Sequence, residues 1–326
     1  MPRLSNVAGL LVLPRLRVQN VNVISSPLTW GFPSITAFMG LMWNLERKVA
    51  KDYDLIFQGV GLVCHSFDPQ IGSNPAEDRF NLTRNPLNRY GNPAPFVEEG
   101  RAQIEVTLVF GVDGATLKKE PDERIKIAQY IFNIVTSMRI AGGNVVPPYS
   151  TASHSHPQLI RMEQDYEKRS SQFRLLRRNW LPGFTLVSRD DLLNQRFEEL
   201  RKKSKDVNLI DAWLDISRLN WRSVRTLKSN NSDKEEETIE WKPRSNQGWI
   251  VPIPVGYSAL SNVYSSDEVA NTRDDTTPFQ FVESIYSIGQ WIGPHRLNTI
   301  SDLLWYHQNN SSVDVYRCCN DFSTTT

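Results

Sequence analysis

The stretch AGLLVLPRLRVQNVNVI, residues 8–24, decides how the chain begins to fold. Its first half is apolar, and its second half alternates apolar residues with arginines and asparagines. This period-two alternation is typical of a strand with one buried and one polar face. The alternation slips near Gln19, which predicts an adjustment of strand register at that point.

The residues that follow predict a loop and then a helix. Residues 25–33, SSPLTWGFP, combine two prolines, a glycine and three hydroxyl side chains, a composition typical of loops. Ser34 is a favourable N-cap for a helix over residues 35–50. The apolar residues that share one face of this helix are Ile35, Phe38, Leu41, Met42 and Leu45.

The rest of the first half continues with strands and a second helix. The expected helix spans 121–140 and ends at Gly142-Gly143, a typical helix stop. The order strand, helix, strand, strand, helix, strand is that of an RRM-like or ferredoxin-like α+β domain over 8–150. The further strands are expected at 55–67, 102–112 and 144–146.

A long polar insertion, at about 68–100, interrupts this predicted domain. It carries Arg79, Arg84, Asn85 and Arg89 among further asparagines and prolines. A loop of this length without periodicity is uncommon unless it functions or is disordered. We therefore expect either an arm that clamps a single nucleic-acid strand or a neighbouring subunit, or a disordered segment.

The second half, residues 151–326, predicts a mixed and partly helical region that packs on the first domain. Two helices are expected within 186–204 and 207–220, and an extended edge segment within 248–260, where two prolines occur. The charged stretch at about 228–246 predicts a flexible loop. Two further aromatic-rich segments, 281–297 and 299–307, are expected to be helical.

Composition narrows the possible functions. The chain has 326 residues, with 37 basic and 36 acidic side chains and a net charge of +1. A free-standing nucleic-acid binder is usually strongly basic, so RNA binding here requires a local patch or basic partners. Three cysteines without a disulfide framework suit the cytoplasm, and the apolar N-terminal stretch is too short and interrupted to span a membrane.

The sequence shows no sign of an active site, metal site or cofactor site. Nucleotide-binding loops, zinc-protease motifs and hydrolase elbows are absent from it. His154 and His156 lack further ligands at metal-binding spacing. His65 and His307 have no evident partner for acid–base chemistry. We therefore expect a non-catalytic protein without metal or cofactor.

The polar residues of the first strand and loop form a candidate RNA contact. In an RRM-like sheet the first strand is central and one face is open. Arginines there can meet phosphates, amides can meet base edges, and an aromatic ring can stack on a base. The alternative is a capped helix with Trp30 packed in the core. The residues concerned are Arg15, Arg17, Asn20, Asn22, Ser25, Ser26, Thr29 and Trp30.

Several blocks of sequence resemble one protein family in the same order. They include LLVLPRLRVQNVNVISSPLTWGFPSITAF (10–38), GVGLVCHSF (59–67), FNLTRNPLNR (80–89), GWIVPIPVGYSALS (248–261) and PHRLNTISDLLWY (294–306). Together they resemble the Csy-two family of the type I-F CRISPR Csy surveillance complex, the Cas-five homologue of that type. The resemblance covers almost the whole chain.

The resemblance implies a RAMP fold, which is an RRM-like domain with a thumb-like insertion, here the arm at 68–100. It implies binding of the 5′ handle of the CRISPR RNA, pairing with the large Csy-one subunit and contact of the thumb with a Csy-three backbone subunit. The assembled complex would bind target DNA. Within the region the resemblance supports, chemistry favours Arg15, Asn20, Asn22, Ser25, Ser26, Thr29 and Trp30 as handle contacts, then Arg139, Gly142 and Gly143.

Two other function classes remain open at this point. Some RAMP relatives cut CRISPR RNA, so a metal-independent endoribonuclease is the alternative from the enzyme class. A purely structural subunit without nucleic-acid contact is the other alternative.

Overall fold

A computed structural model gives the architecture of the chain. It describes residues 4, 7–72, 79–80, 90–92, 99–146, 156–218, 221–229, 235–243, 248–272, 274, 276–310 and 314–322. The helices are α1 Ile35–Val49, α2 Pro121–Thr136, α3 Tyr166–Leu176, α4 Asp190–Arg201, α5 Leu209–Ser217 and α6 Ile300–Leu303.

The strands share one large antiparallel sheet or form small hairpins beside it. In chain order they are β1 Gly9–Asn22, β2 Ile24–Ser26, β3 Thr29–Trp30, β4 Ile56–Pro69, β5 Ile71–Gly72, β6 Arg79–Phe80, β7 Arg101–Asp113, β8 Arg139–Ile140, β9 Gly143–Val146, β10 Gln158–Arg161, β11 Phe184–Ser188, β12 Trp221–Ser229, β13 Glu235–Pro243, β14 Trp249–Ala259, β15 Val282–Ile292, β16 Trp305–Asn310 and β17 Val315–Asn320.

The first half of the chain forms the central part of an 11-stranded sheet. Strands β4, β7, β1 and β9 are neighbours in that order, and each pairs antiparallel with the next. Helices α1 and α2 pack on one face of these strands, where they join a single buried cluster. The α+β class predicted from the sequence is therefore confirmed.

Two irregularities in β1 explain how this strand keeps its apolar side on the helices. Its register against β7 shifts between Leu13 and Leu16 and again between Val18 and Val21. Arg15 and Asn20 occupy these shifts with φ angles of 53° and 59°, the left-handed region. The slip near Gln19 was predicted, whereas the one at Arg15 was not. The apolar side chains kept in the helix-side cluster are Leu11, Leu13, Leu16, Val18, Val21 and Val23.

The described residues cover the opposite face of the sheet over only part of its length. Leu10, Val12 and Val109 pack there against Phe173 of α3 and Trp180 of the turn that follows α3. Farther along β1, the same face bears a polar groove of about 300 Å³. The groove is lined by Arg17, Val18, Gln19, Ser66, Asp68, Gln103, Ile104 and Glu105.

The second half of the chain extends the same sheet beyond β4. The strand order on that side is β16, β17, β14, β15 and β11, and β11 also pairs with β4. Helices α4 and α5 confirm two of the predicted helices. Residues 248–260 are extended as predicted, and only Gly256–Ser258 of β14 pair with β17.

Three predictions for the second half are wrong. Residues 281–297 contain β15 rather than a helix, because this segment pairs along one edge with β14 and along the other with β11. Residues 299–307 form one helical turn, α6, followed by β16. The segment at 228–246, predicted as a flexible loop, contains β13, which pairs residue by residue with β12.

Helix α2 ends earlier than predicted. It stops at Thr136, and β8 and β9 then form a hairpin whose two turn residues are Ala141 and Gly142. Both have positive φ, 48° and 79°, as a two-residue hairpin turn of the primed type requires. The glycine pair is thus a hairpin feature and not a helix stop. Within the described residues, no helix is long and apolar enough to cross a membrane.

Candidate nucleic-acid interface

Arg15 lies at the first irregularity of β1 and faces the open side of the sheet. Its backbone N–H donates to Thr107 Oγ1 of β7 at 3.1 Å. Its guanidinium donates to Glu105 Oε1 at 2.6 Å, and both side chains are about one-third exposed, at 36% and 28%. Because the backbone and the guanidinium are both held, the side chain has a fixed direction at the surface.

His65 supports this arrangement from β4. Its Nε2 lies 2.8 Å from Thr107 Oγ1, and its Nδ1 lies 2.7 Å from the carbonyl oxygen of Pro182. A carbonyl can only accept, so Nδ1 carries the hydrogen and Nε2 accepts from the Thr107 hydroxyl. Neither of these two hydrogen-bond partners could be identified from the sequence. Its imidazole links the second half of the chain to the backbone of Arg15.

The environment of His65 favours the neutral imidazole. Burial lowers the pKa of His65 below its ordinary value of about 6.5. The hydrogen bond to Pro182 opposes this shift, and the charges of Arg15 and Glu105 are weaker influences.

This lowered pKa predicts a pH dependence of stability. The unfolded chain takes up a proton on His65 at the ordinary pKa, whereas the folded protein resists it. The stability tied to neutral His65 is thus present above about pH 6.5 and is lost as the pH falls below it. We expect His65→Gln to remove this part of the acid sensitivity. The measurement is the melting temperature of the wild type and of His65→Gln at about pH 7.5 and about pH 5.5. An equal fall in melting temperature of both proteins between these pH values would contradict the prediction.

The end of β1 presents two asparagines beside Arg101. Asn20 Oδ1 accepts from Gln70 Nε2 at 2.7 Å, and its backbone oxygen accepts from the Arg101 guanidinium at 3.3 Å. The Asn22 side chain donates to and accepts from the backbone of Ile24. Both asparagines are exposed, so each keeps an amide group at the surface.

The β8–β9 hairpin lies against this end of β1. The N–H of Asn22 donates to the carbonyl of Ala141 at 2.9 Å. A Cβ on Gly143 would lie 2.5 Å from the carbonyl oxygen of Gln19, so only glycine allows this close approach. Arg139 is exposed on the same hairpin. The structure therefore brings Arg139, Gly142 and Gly143 next to the asparagines, a proximity that no sequence spacing indicates.

The predicted loop after β1 is a small hairpin of β2 and β3. The hydroxyls of Ser26 and Thr29 are buried and bond each other at 2.6 Å, so they hold the turn together. Ser25 Oγ accepts the N–H of Ser34, the residue that caps α1 as predicted. Trp30 is 64% exposed, which excludes the alternative that it packs in the core.

Trp30 rests edge-on against Phe80 of β6, with 5.6 Å between the ring centroids. This contact joins the hairpin to the start of the predicted arm, where Arg79 pairs across from Gly72. The other arm residues predicted to make contacts, Arg84, Asn85 and Arg89, lie outside the described residues. We name the surface from Arg15 to Trp30, together with Arg101 and the β8–β9 hairpin, the β1 surface.

Three residues that support this site could not be predicted from the sequence. Gln70, His65 and Thr107 are separated from β1 in the chain, and only the pairing of β4 and β7 with their neighbours brings them to Asn20 and Arg15. In the part of the chain that the structure describes, no three His, Cys, Asp or Glu side chains are grouped so that they could hold a metal ion.

Comparisons with known proteins agree across nearly the whole chain. The family model described as CRISPR-associated protein (Cas_Csy2) matches residues 11–318. The CRISPR-associated protein Csy2 of Pseudomonas aeruginosa (strain UCBPP-PA14) is 45% identical over 313 residues, which cover 95% of this chain and 94% of that protein. The family suggested by the sequence blocks is confirmed: the chain belongs to the Csy2 family of type I-F CRISPR-associated proteins.

Proposed function

We propose that this chain is a non-catalytic RNA-binding subunit of the type I-F CRISPR surveillance complex and that its β1 surface grips the 5′ handle of the CRISPR RNA. The observation that carries the proposal is the open part of the sheet face from Arg15 to Asn22. Arg101 and the exposed Arg139 join it from separate segments, and the exposed Trp30 lies on the hairpin that follows β1.

The chemistry of the β1 surface suits a single RNA strand. Guanidinium groups contact phosphates, and these contacts position the strand. The exposed amides of Asn20 and Asn22 can read base edges, and Trp30 offers a face on which a base can stack. The hydroxyls of Ser26 and Thr29 support the hairpin that carries Trp30, whereas Gly142 and Gly143 allow RNA to approach the backbone.

The architecture supports the same proposal. The strand order β4, β7, β1, β9 with two helices on one face is compatible with an RRM-like RAMP domain. We propose that the arm at 68–100, with Arg79, Arg84, Asn85 and Arg89, is its thumb and contacts a Csy-three backbone subunit. The partners of the complex would be Csy-one, Csy-three, the CRISPR RNA and, through the assembly, target DNA, all in the cytoplasm.

The environment of His65 argues against the endoribonuclease alternative. A general base needs a ring nitrogen that can reach the 2′-hydroxyl of the RNA. Both nitrogens of His65 are engaged, one by Pro182 and one by Thr107. His307 of β16 packs edge-on against Trp43 of α1, which lies on the helix side of the sheet.

Binding of repeat RNA at several salt concentrations tests the proposal. The probe is synthetic RNA of the neighbouring CRISPR repeat, and the protein is the full chain assembled with its co-expressed partners. Each neutralised phosphate contributes about −0.7 to the slope of log affinity against log salt concentration. Four arginine contacts therefore predict a contribution approaching −3. The arginines are Arg15, Arg17, Arg101 and Arg139. Removing these four guanidiniums should flatten the slope by that amount. Cleavage of the RNA that His65→Ala abolishes would favour the enzyme instead.

A further inference from the structure

We propose that a pocket beside the β1 surface holds one unstacked nucleobase that donates an N–H to the edge of β14; this rests on the proposed RNA binding. The pocket has a volume of about 120 Å³ and lies between the β2–β3 hairpin and β14. Its lining residues include Ser25, Trp30, Phe32, Pro252 and Trp291.

The walls of the pocket are aromatic and suit the flat face of a base. Phe32 packs edge-on against Trp291 with 5.0 Å between ring centroids, and it stacks on Phe38 at 5.7 Å. These contacts fix the rings, so little side-chain freedom would be lost when a ligand enters. Trp30 stands exposed at the rim, where it can cover a base that has entered.

The β14 side of the pocket offers hydrogen-bond acceptors without donors. The carbonyl oxygen of Pro254 accepts from Ser34 Oγ at 3.2 Å, so this carbonyl points toward the hairpin and α1. Carbonyls two residues apart on a strand point the same way, which directs that of Pro252 to the same edge. Neither proline has an N–H, and β17 pairs with β14 only from Gly256 onward. A ligand at this edge must therefore supply the donor.

Ser25 supplies a complementary donor from the hairpin side. Its Oγ accepts the N–H of Ser34 at 3.1 Å, which leaves the hydroxyl hydrogen for a ligand acceptor; among the described residues it has no acceptor. An acceptor edge and a donor hydroxyl fit a base that presents an N–H donor beside a ring nitrogen or carbonyl. The amino groups of cytosine, adenine and guanine meet this requirement, and so does the ring N–H of uracil, which lies between two carbonyls.

The test is an abasic scan combined with two variants and a matched control. The probes are synthetic repeat RNAs, each with one position made abasic, and the protein is the full chain assembled with its partners. Trp30→Ala removes the rim, and Pro252→Ala adds an N–H to the acceptor edge. Trp241→Ala is the control, because Trp241 is a similarly exposed tryptophan, on β13, that does not line the pocket.

We expect Trp30→Ala and one abasic position each to weaken binding about 5- to 100-fold, the range of base stacking. Combined, they should weaken it no further than either alone, because both remove the same contact. A base whose N–H donor is blocked by methylation at that position should bind more weakly than the unmodified base, and Pro252→Ala should reduce this difference. The control should change nothing.

Two results would overturn the pocket, and they differ in what they say of RNA binding. Trp30→Ala could weaken binding by an amount that adds to the loss caused by every abasic position alike. In that case Trp30 contacts RNA and the pocket holds no base. If pocket variants leave RNA affinity unchanged and instead release a protein subunit on size exclusion, the pocket receives a protein side chain. Loss of repeat-RNA binding by the wild type itself would be the failure of the proposed function.

Discussion

Replacing Arg15 and Trp30 together with alanine is expected to weaken binding of repeat RNA by the assembled protein about 100-fold or more. A hydrogen bond to a charged group contributes about 1.5–3 kcal/mol, and stacking of a base about 1–3 kcal/mol. Each 1.4 kcal/mol corresponds to a factor of about ten. Loss of Arg15 also leaves the Glu105 carboxylate unpaired beside the RNA, which adds repulsion.

The matched control replaces Arg218 and Trp241 with alanine. Arg218 forms an ion pair with Asp215 at 2.9 Å, much as Arg15 does with Glu105, and Trp241 is 65% exposed. The control should bind RNA like the wild type, as measured by fluorescence anisotropy at one fixed salt concentration. Equal affinity of the Arg15 and Trp30 variant and the control would remove RNA binding from the β1 surface.

Replacing Trp305 with alanine is expected to lower the free energy of unfolding by about 3–5 kcal/mol, the range for buried aromatic residues. Trp305 is fully buried, and its Nε1 donates to the carbonyl of Leu186 at 2.8 Å. It lies where β16 meets β4, opposite Val60, so it joins the two halves of the sheet. Its removal leaves a cavity and an unpaired buried carbonyl.

Urea denaturation of the purified full chain measures this effect. The urea concentration at the midpoint of unfolding should fall. The slope of the unfolding free energy against urea concentration should stay unchanged, as expected when only stability changes. Trp241→Ala again serves as the control, because an exposed tryptophan contributes little to the core. A loss of unfolding free energy below about 1 kcal/mol in Trp305→Ala would contradict the claim that Trp305 joins the two halves of the sheet.

The first half of the fold could be predicted because its signals are local. The alternation of β1, the Ser34 cap and the apolar face of α1 each arise within a few residues. The second half was harder, because strands such as β15 and β16 are fixed by pairing with distant partners. Their aromatic and apolar residues fit a buried strand as well as a helix. The prediction of a helix stop at Gly142-Gly143 is wrong because a glycine pair suits a helix stop and a tight turn equally well.

The candidate site was predictable in part for the same reason. Arg15, Asn20 and Asn22 follow from the polar face of one strand, whereas the sequence left the exposure of Trp30 open. The contact of the β8–β9 hairpin with Asn22, and the support of Arg15 by Thr107 and His65, depend on strand order. Sequence spacing contains no information on that order in a chain without repeats.

Photo-crosslinking of the assembled protein to repeat RNA tests the central claim most directly. RNAs with 4-thiouridine at single positions are irradiated, and the crosslinked peptides are identified by mass spectrometry. The β1 surface predicts crosslinks from the 5′ end of the RNA to peptides that contain residues 15–30, 101 or 139–144. Crosslinks confined to other surfaces, such as the β12–β13 hairpin, with none in these peptides would contradict it.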